Sequence, residues 1–311
     1  MPHSPADVVG TLIERISAGR WTGLASHYAE DTVVEHPLQR SRLTGRQALA
    51  DHFARAAAAG VRLEASDVVL HETTDPEVVV TAYIYRGAGF ASANVQVVRV
   101  RDGLIRHSRD YHDPLRMAAA RGDFTGIAEP AAPAPAGPRP EVPDGSPSAL
   151  VLHALTGPPA TRADLYAEDA QVTLPFHPAA PVLRGREALR EHFATGARFE
   201  PRTVVFHQCA DPNLIVTEVE CAVGGTAAAA NVLITRVRDG RIAESHDYLD
   251  HVAVAAATGT LPELFAAAQS PLSPARSWNS PSRAPATNAS HSDGVKTRTV
   301  PSGSVAFRRA V

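Results

Sequence analysis

The sequence has very little cysteine. Of its 311 residues only two, Cys209 and Cys221, carry a thiol. Two thiols cannot supply a zinc-ligand motif or a disulfide framework, so neither a structural zinc site nor a disulfide-stapled fold is predicted. We expect both thiols to stay reduced, which is typical of a cytoplasmic protein.

The chain also lacks a charge imbalance and any long apolar run. It has 30 basic and 33 acidic side chains and a net charge of −3. This balance provides no electrostatic surface for nucleic acid or an acidic membrane, so neither is an expected partner. No apolar stretch is long enough to span a bilayer. Residues Met1–Pro5 have no basic segment followed by an apolar one, so no signal peptide is predicted.

What the sequence does contain is a long internal repeat. The same motifs occur in the same order in both halves: Tyr-Ala-Glu-Asp at 28–31 and 166–169, Gly-Arg at 45–46 and 185–186, Arg-Val-Arg-Asp-Gly at 99–103 and 236–240, and Asp-Tyr at 110–111 and 247–248. This period is far longer than that of a solenoid, so each copy should be a complete domain.

The repeat divides the chain into segments. We predict a first domain at 1–126, a linker at 127–146, a second domain at 147–269 and a disordered tail at 270–311. The linker is dense in proline and alanine, which favours an extended, semi-rigid spacer. The tail is rich in Ser, Pro, Arg and Asn and has too little apolar content for a core.

Each copy has its helical patterns first and its strand patterns afterwards. In the first copy, helices are predicted from Pro5, at 21–28 and at 46–57, and strands at 32–35, 61–70, 78–85, 90–100 and 104–111. Arg101-Asp102-Gly103 indicates a hairpin turn, because glycine tolerates the positive φ that such turns need. The order predicts an α+β fold with an antiparallel sheet.

This order of motifs resembles the SnoaL-like families of actinobacteria, in the superfamily of nuclear transport factor 2 and ketosteroid isomerase. The resemblance covers residues 6–120 and 147–260. It implies two cone-shaped domains, each a curved antiparallel sheet wrapped around helices, with a pocket between them. It does not fix the activity, because the superfamily contains isomerases, cyclases, epoxide hydrolases, lyases and non-catalytic binders.

Three residues are candidate catalytic groups. His36 lies where, by pattern, ketosteroid isomerase carries its catalytic base, and a histidine can take up a proton near neutral pH. The second copy has Leu174 there, and His177 could replace it only if its loop folds inward. Asp110 and Asp247 lie in the last strand of each copy. An aspartate there would act as an acid or base in an apolar cone, or else hold the sheet by hydrogen bonds.

Four further residues are candidate ligand contacts. Tyr83 and Tyr85 share one strand face and would donate to an enolate oxygen if that face lines the cone. If the face points outward, they are interface aromatics. Asn94 and Asn231 correspond in the two copies. Each would hold a ligand carbonyl or satisfy polar groups of its own strand.

The last strand, with Asp110 or Asp247, resembles the segment of limonene-epoxide hydrolase and related enzymes that carries an acid deep in the pocket. Those enzymes also use an Arg and a second Asp, two residues apart, on a middle strand. By register those places hold Tyr83 and Tyr85 in the first copy, and Val219 and Cys221 in the second. Epoxide hydrolysis would therefore need an Arg–Asp relay from elsewhere, and it is only the third hypothesis.

The leading hypothesis is a cofactor-independent isomerase, cyclase or lyase that acts on a small, mostly apolar, carbonyl-bearing metabolite in secondary metabolism. His36 would be the base and Asp110 its partner, which makes the first domain the favoured site. No nucleotide-binding glycine motif and no metal-ligand spacing occurs in the sequence, so neither a cofactor nor a metal is predicted. The alternative is a non-catalytic ligand-binding or assembly protein. The linked copies are expected to pair through their sheets as an intramolecular pseudo-dimer.

Overall fold

The computed structural model describes residues 4–127, 129–269 and 307–310. Each domain is α+β, with helices packed against one curved sheet. The elements of domain 1 are α1 (Pro5–Ser17), β1 (Tyr28–His36), β2 (Ser41–Thr44), α2 (Arg46–Ala58), β3 (Glu64–Glu72), β4 (Val78–Gly87), β5 (Phe90–Arg101), β6 (Leu104–His112) and α3 (Pro114–Arg121).

Domain 2 repeats this order. Its elements are α4 (Pro147–Thr156), α5 (Pro159–Arg162), β7 (Tyr166–Thr173), β8 (Val182–Arg184), α6 (Gly185–Thr195), β9 (Phe199–Gln208), β10 (Leu214–Val223), β11 (Ala227–Arg238), β12 (Arg241–Tyr248), α7 (His251–Thr258) and α8 (Leu261–Gln269). Its first helix, α4, has 10 residues and is shorter than α1, which has 13.

Local sequence explains where α1 begins and which face it buries. The Ser4 side chain accepts from the backbone N–H of Asp7, and the Asp7 carboxylate accepts from the backbone N–H of Ser4. This reciprocal cap satisfies two N–H groups that have no partner within the helix. Proline at the first helical position loses nothing, because its missing N–H would have been unpaired there. The apolar stripe Val8, Val9, Leu12 and Ile13 is buried against the sheet.

The sheets differ in one respect from the expected antiparallel arrangement. β3, β4, β5 and β6 form an antiparallel meander, but β1 pairs with β6 in parallel. β7 and β12 repeat this parallel pair in domain 2. Both sheets are therefore mixed. The parallel pairing matters for the site, because it brings the carboxyl ends of the first and last strands of each domain together.

The predicted hairpin turn is confirmed in both domains. Asp102 and Gly103 have φ values of 55° and 73°, and Asp239 and Gly240 have 51° and 69°. Two successive positive φ values match the twist of the flanking strands. By contrast, the helix predicted at 21–28 is only a 3₁₀ turn, Leu24–His27, and Tyr28 already begins β1.

The two sheets pack against each other through a shared apolar cluster. Its members come from both domains: Leu38, Val78, Val80, Ala82, Val95, Val97 and Tyr111 from domain 1, and Phe176, Cys209, Leu214, Val216, Val232, Ile234 and Tyr248 from domain 2. The Tyr111 hydroxyl donates to Oε2 of Glu218 at 2.6 Å across this contact. A second contact stacks Phe124 on Phe265, with ring centroids 4.6 Å apart.

The described part of the linker lies along domain 2. The carbonyl oxygen of Ala131 in the linker accepts a hydrogen bond from the backbone N–H of Ala228 at 2.8 Å. The backbone N–H of Gly137 in the linker donates to the carbonyl oxygen of Arg202, also at 2.8 Å. Of the predicted disordered tail, residues 270–306 and 311 lie outside the described residues. Phe307–Ala310 forms a short strand, β13, that pairs in parallel with β3. Among the helices that the structure describes, none has the length and apolar character needed to cross a membrane.

Candidate functional site

Both domains place a serine–aspartate pair on the last long strand. In β6 the Ser108 hydroxyl donates to Oδ1 of Asp110, and in β12 the Ser245 hydroxyl donates to Oδ1 of Asp247. Each pair shares one strand face, as the alternation of side chains predicts. One carboxylate oxygen is thus held by its own strand, and the second is left for other contacts.

In domain 1 two histidines lie beside this aspartate. His36 ends β1 and His112 ends β6, and one ligand atom from each lies within 4.8 Å of the other and of a carboxylate oxygen of Asp110. Nε2 of His112 is 4.0 Å from Oδ2 of Asp110. The sequence predicts His36 and Asp110 as site residues but misses His112. The signal was present, because residues 108, 110 and 112 share a strand face.

Asn94 fixes the state of His112. The two residues are cross-strand partners on β5 and β6. Nδ2 of Asn94 donates to Ser92 O at 2.8 Å, so the amide oxygen faces His112 and lies 2.7 Å from its Nδ1. An amide oxygen only accepts, so Nδ1 carries the proton. Burial lowers the pKa of His112 to about 4, although Asp110 opposes the shift. The ring is therefore neutral, with a free lone pair on Nε2.

Three tyrosine rings lie in the interior of domain 1. Tyr28, Tyr83 and Tyr85 are buried in the core cluster that also holds Trp21 and Phe53. The rings of Tyr83 and Tyr85 meet edge to face, with centroids 4.7 Å apart. Burial raises the pKa of all three phenols, so they remain neutral. The face that carries Tyr83 and Tyr85 thus points into the cone, where the rings pack against each other.

Domain 2 has a cavity of about 360 Å³ inside its cone, a size suited to a small molecule. The strand register explains the space. Tyr83 pairs with Asn94 across β4 and β5, and Val219 pairs with Asn231 across β10 and β11. Val219 therefore stands at the Tyr83 position, and Cys221, two residues on, stands at the Tyr85 position. Both smaller side chains line the cavity.

Asp247 is the single carboxylate among the residues that line this cavity. Burial raises its pKa to about 6, and the hydrogen bond from Ser245 and the charge of His246 only partly oppose the shift. A carboxylate with this pKa is mostly ionised at neutral pH, yet it is a stronger base than an ordinary aspartate.

His177 reaches the same cavity because its loop folds inward. Residues 174–181 form a compact turn in which His177 N donates to Leu174 O and Ala180 N donates to His177 O. The Ala179 N–H donates to Nδ1 of His177 at 3.1 Å, so the proton of the neutral ring sits on Nε2. The turn is also held from domain 1, where Nη2 of Arg116 donates to Pro178 O.

Five more polar side chains line the cavity and were not predicted as site residues: Arg162, Tyr166, His192, Thr235 and His251. Nε of Arg162 and Nε2 of His251 are buried with no hydrogen-bond partner within the described part of the chain. Burial lowers the pKa of His251 to about 3 and also lowers that of His192, so both rings are neutral. Buried donors without partners are rare in folded proteins, and a ligand in the cavity would satisfy them.

The remaining predicted contacts have local roles. Oδ1 of Asn231 accepts from the backbone N–H of Asp250 at 2.9 Å, which ties β11 to the start of α7. Burial raises the pKa of the Cys221 thiol to about 12, so it is not a thiolate nucleophile. Asn94, as described above, holds His112. The two asparagines thus satisfy groups of the fold before any ligand is considered.

The repeat and the two cones agree with a comparison against known domain families. A model of the SnoaL-like domain matches residues 9–108 and again residues 152–245. The chain belongs to the SnoaL-like family. It is a tandem member, since the two matches coincide with the two domains. No curated protein matches the sequence significantly.

Solved structures resemble one SnoaL-like domain of this chain at a time. A putative isomerase from Bacillus subtilis shares 18% identity over 38% of this chain and 92% of its own, with a TM-score of 0.34. A putative SnoaL-like polyketide cyclase from Shewanella putrefaciens shares 13% identity over 38% and 85%, with a TM-score of 0.33. SalBIII, an epoxide hydrolase/cyclase-like enzyme of pyran-ring formation in salinomycin, shares 17% over 36% and 92%, with a TM-score of 0.32.

Proposed function

We propose that the cone of domain 2 binds a small, mostly apolar, carbonyl-bearing metabolite and catalyses its isomerisation, cyclisation or lyase cleavage by acid–base chemistry without a cofactor. The observation that carries this proposal is the cavity of about 360 Å³ that combines apolar walls with Asp247. Its size and its few polar groups are typical of sites that orient one reacting centre.

Asp247 would remove a proton from the carbon next to the substrate carbonyl. Its Oδ1 is held by Ser245, so Oδ2 is the oxygen left to take the proton. The electron pair of the broken C–H bond moves to the carbonyl oxygen, which becomes an enolate. In the isomerisation of a β,γ-unsaturated ketone, the protonated Asp247 then returns the proton to the γ-carbon of the dienolate. In a cyclisation, the α-carbon of the enolate instead bonds to a second carbonyl carbon of the substrate, and Asp247 gives its proton to the alkoxide that results. In a lyase cleavage, the enolate expels a leaving group from the β-carbon, and Asp247 protonates that group.

The unpaired donors of the cavity would stabilise the enolate. Arg162 is held at the wall, where its Nη2 donates to Gly157 O and its guanidinium lies 5.4 Å from the Phe193 ring centre, while its Nε has no partner among the described residues. The neutral His177 ring has its proton on Nε2. A fixed cation and a fixed N–H donor in an apolar cone stabilise a developing negative charge more strongly than water does.

The geometry supports domain 2 over the site first suggested by His36. In domain 1 the positions that open the cone of domain 2 are occupied by the rings of Tyr83 and Tyr85. Epoxide hydrolysis has weaker support. The lining of the domain 2 cavity has Arg162 and one carboxylate, whereas a relay of that kind needs two acids. Glu218, next to the relay position, faces domain 1 instead, where it bonds Tyr111.

We further propose that the two domains form a stable intramolecular pseudo-dimer, supported by their shared apolar cluster. We propose a cytoplasmic location as well, because Cys209 and Cys221 are both free and buried thiols. A reducing compartment would keep them in that state.

The test uses the full-length protein with two simple probes. 2-Tetralone is an apolar ketone with exchangeable α-hydrogens, and 2-naphthol is a phenol that mimics its enolate. We expect the protein to bind 2-naphthol and to accelerate exchange of the α-hydrogens of 2-tetralone with deuterium, measured by ¹H NMR. Asp247→Asn should reduce exchange at least ~100-fold while 2-naphthol still binds.

Matched variants locate the site. Val219→Tyr with Cys221→Tyr introduces the tyrosines of domain 1 and should abolish 2-naphthol binding. Val205→Tyr is the control: it adds one ring on the same sheet at a position that is 40% exposed, and it should leave 2-naphthol binding intact. Asp169→Asn, an exposed carboxylate of β7, is the control for Asp247→Asn. Exchange at the uncatalysed rate with intact binding would establish the non-catalytic alternative. Binding that survives the double tyrosine variant would remove domain 2 as the site.

A further inference from the structure

We propose that His36, Asp110 and His112 of domain 1 bind a divalent first-row transition-metal ion such as Zn²⁺ or Fe²⁺. One ligand atom from each residue lies within 4.8 Å of the other two. His36 is far in sequence from Asp110 and His112, and it joins them because β1 and β6 run side by side in parallel. The proposal concerns domain 1 and is independent of the chemistry proposed for domain 2.

The donor set suits such an ion. Two imidazole nitrogens and one carboxylate oxygen are a recurring set for Zn²⁺ and non-haem Fe²⁺, and they leave coordination positions open for water or substrate. Tetrahedral donors at about 2.0 Å from Zn²⁺ lie ~3.3 Å from one another. The separation from Nε2 of His112 to Oδ2 of Asp110 is 4.0 Å. Side-chain movements of about 1 Å would therefore close the site.

Neighbouring groups hold two of the ligands in the required state. The amide oxygen of Asn94 accepts the Nδ1 proton of His112, which leaves the lone pair of Nε2 for an ion. The hydroxyl of Ser108 holds Oδ1 of Asp110, which leaves Oδ2 on the side of His112. Metal-bound histidines typically donate their other N–H to an oxygen in this manner, and bound carboxylates also accept a second hydrogen bond.

His36 supplies an unsatisfied nitrogen and a route for the ion. Its Nδ1 is buried and has no hydrogen-bond partner within residues 4–127, 129–269 and 307–310. A coordinated ion would satisfy it. His36 also lines a cleft of about 490 Å³ between the domains, so an ion could reach the site from solvent. Four arginines line that cleft: Arg40, Arg42, Arg109 and Arg202. Arg109 is paired with Glu35, Glu218 and Glu220, Arg40 with Asp250, and Arg202 with Glu200.

Domain 2 provides the natural comparison. Leu174 stands at the position of His36, and Leu249 stands at that of His112, as the matching pairs Val95–Tyr111 and Val232–Tyr248 show. Of this group, domain 2 keeps Asp247 and Asn231. The amide oxygen of Asn231 accepts from the backbone N–H of Asp250 and not from a histidine. The duplicated fold thus tolerates leucine at both histidine positions, which supplies a pair of substitutions compatible with folding.

The test measures binding of the metal alone to untagged full-length protein after treatment with a chelator. Co²⁺ is titrated by its visible absorption bands and Zn²⁺ by calorimetry. We expect one ion per chain with a Kd below ~10 µM. His36→Leu with His112→Leu should weaken binding at least ~100-fold, and Asn94→Ala should weaken it ~10–100-fold through loss of the supporting hydrogen bond.

His107→Leu with His153→Leu removes the same number of histidines from elsewhere and should leave the affinity within a factor of about 2. Circular dichroism and urea unfolding verify that each variant is folded. Absence of saturable binding in the parent protein would overturn the proposal. The proposal would also be overturned if the folded His36→Leu with His112→Leu variant bound the metal ion as tightly as the parent protein.

Discussion

Arg116 of domain 1 donates a hydrogen bond to the carbonyl oxygen of Pro178 in domain 2, the residue that follows His177. Its other terminal nitrogen donates to Ala268 O at 3.2 Å. Arg116 is almost fully buried, so both bonds are made away from bulk water. A residue of one SnoaL-like domain thereby fixes the loop that carries a cavity histidine of the other.

Replacing Arg116 by methionine should loosen this loop. Methionine preserves the length of the apolar stem but makes neither hydrogen bond. We expect amide hydrogen exchange to speed up across residues 174–181 and 2-naphthol binding to weaken by ~10-fold, since the loop must be ordered again on binding. Arg121→Met, on the exposed end of α3, should change neither measurement. Unchanged exchange in Arg116→Met would show that domain 2 holds the loop alone.

Removing Glu218 should weaken the contact between the domains. Its carboxylate is buried and bonds His207 at 2.8 Å and Tyr111 at 2.6 Å, with Arg109 at 3.3 Å. Breaking a buried pair of this kind leaves its partners unsatisfied and costs about 3–5 kcal/mol. We expect Glu218→Ala to lower the free energy of unfolding by that order, as measured in urea. Glu220→Ala, whose side chain is 48% exposed, should cost under ~1 kcal/mol.

The lowered pKa of Glu218 predicts that the protein loses stability in acid. Burial would raise the pKa of Glu218, but the hydrogen bond from His207 and the charge of Arg109 hold it below its usual value. The ionised Glu218 carboxylate therefore stabilises the folded protein when the pH is above the pKa of Glu218 in the unfolded chain. This stabilisation is lost as the pH falls through the lower pKa of Glu218 in the folded protein. Urea midpoints from about pH 7 down to about pH 3 should drop less in Glu218→Gln than in the parent, with the difference concentrated below the ordinary glutamate pKa. An equal drop in both proteins would assign the acid sensitivity to other groups.

Asp247→Asn should stabilise the protein while it abolishes proton exchange. The folded pKa of Asp247, about 6, is above the ordinary value of 3.8. The protonated Asp247 side chain contributes fully to the free energy of unfolding when the pH is below the unfolded pKa. This contribution is lost as the pH rises through about 6, because burial penalises the ionised carboxylate. The asparagine variant should gain on the order of 1–3 kcal/mol near pH 7.5 and much less near pH 4. Thermal unfolding at both pH values, with Asp169→Asn as control, measures the difference.

Opening the cone of domain 1 should create a second apolar site. Tyr83→Val with Tyr85→Cys introduces the residues of domain 2 and should cost about 2–4 kcal/mol per ring removed. We expect the binding stoichiometry of 2-naphthol to rise from one to two per chain. Tyr83→Phe with Tyr85→Phe keeps both rings, so its stoichiometry of 2-naphthol binding should stay at one per chain. A stoichiometry of one in the Val/Cys variant, if folded, would mean that more than these two rings closes domain 1.

The sequence predicts much of the fold but little of the site. The helix cap at Ser4, the strand alternation around Asp110 and the turn at Gly103 are local, because each depends on residues a few positions apart. The site needs contacts between distant strands. His112 escaped prediction because its relevance depends on His36, which the parallel pairing of β1 and β6 places beside it.

By itself, the sequence determined that two copies of one SnoaL-like domain are joined, and where they differ, since repeats and substitutions can be read along the chain. Only the tertiary structure decided what the differences do. It places Tyr83 and Tyr85 inside the cone of domain 1 and Val219 and Cys221 at the wall of a cavity in domain 2. The reason is that packing depends on volumes brought together from separate elements. The inward turn at His177 also receives a hydrogen bond from Arg116 of the other domain, a contact that no local pattern encodes.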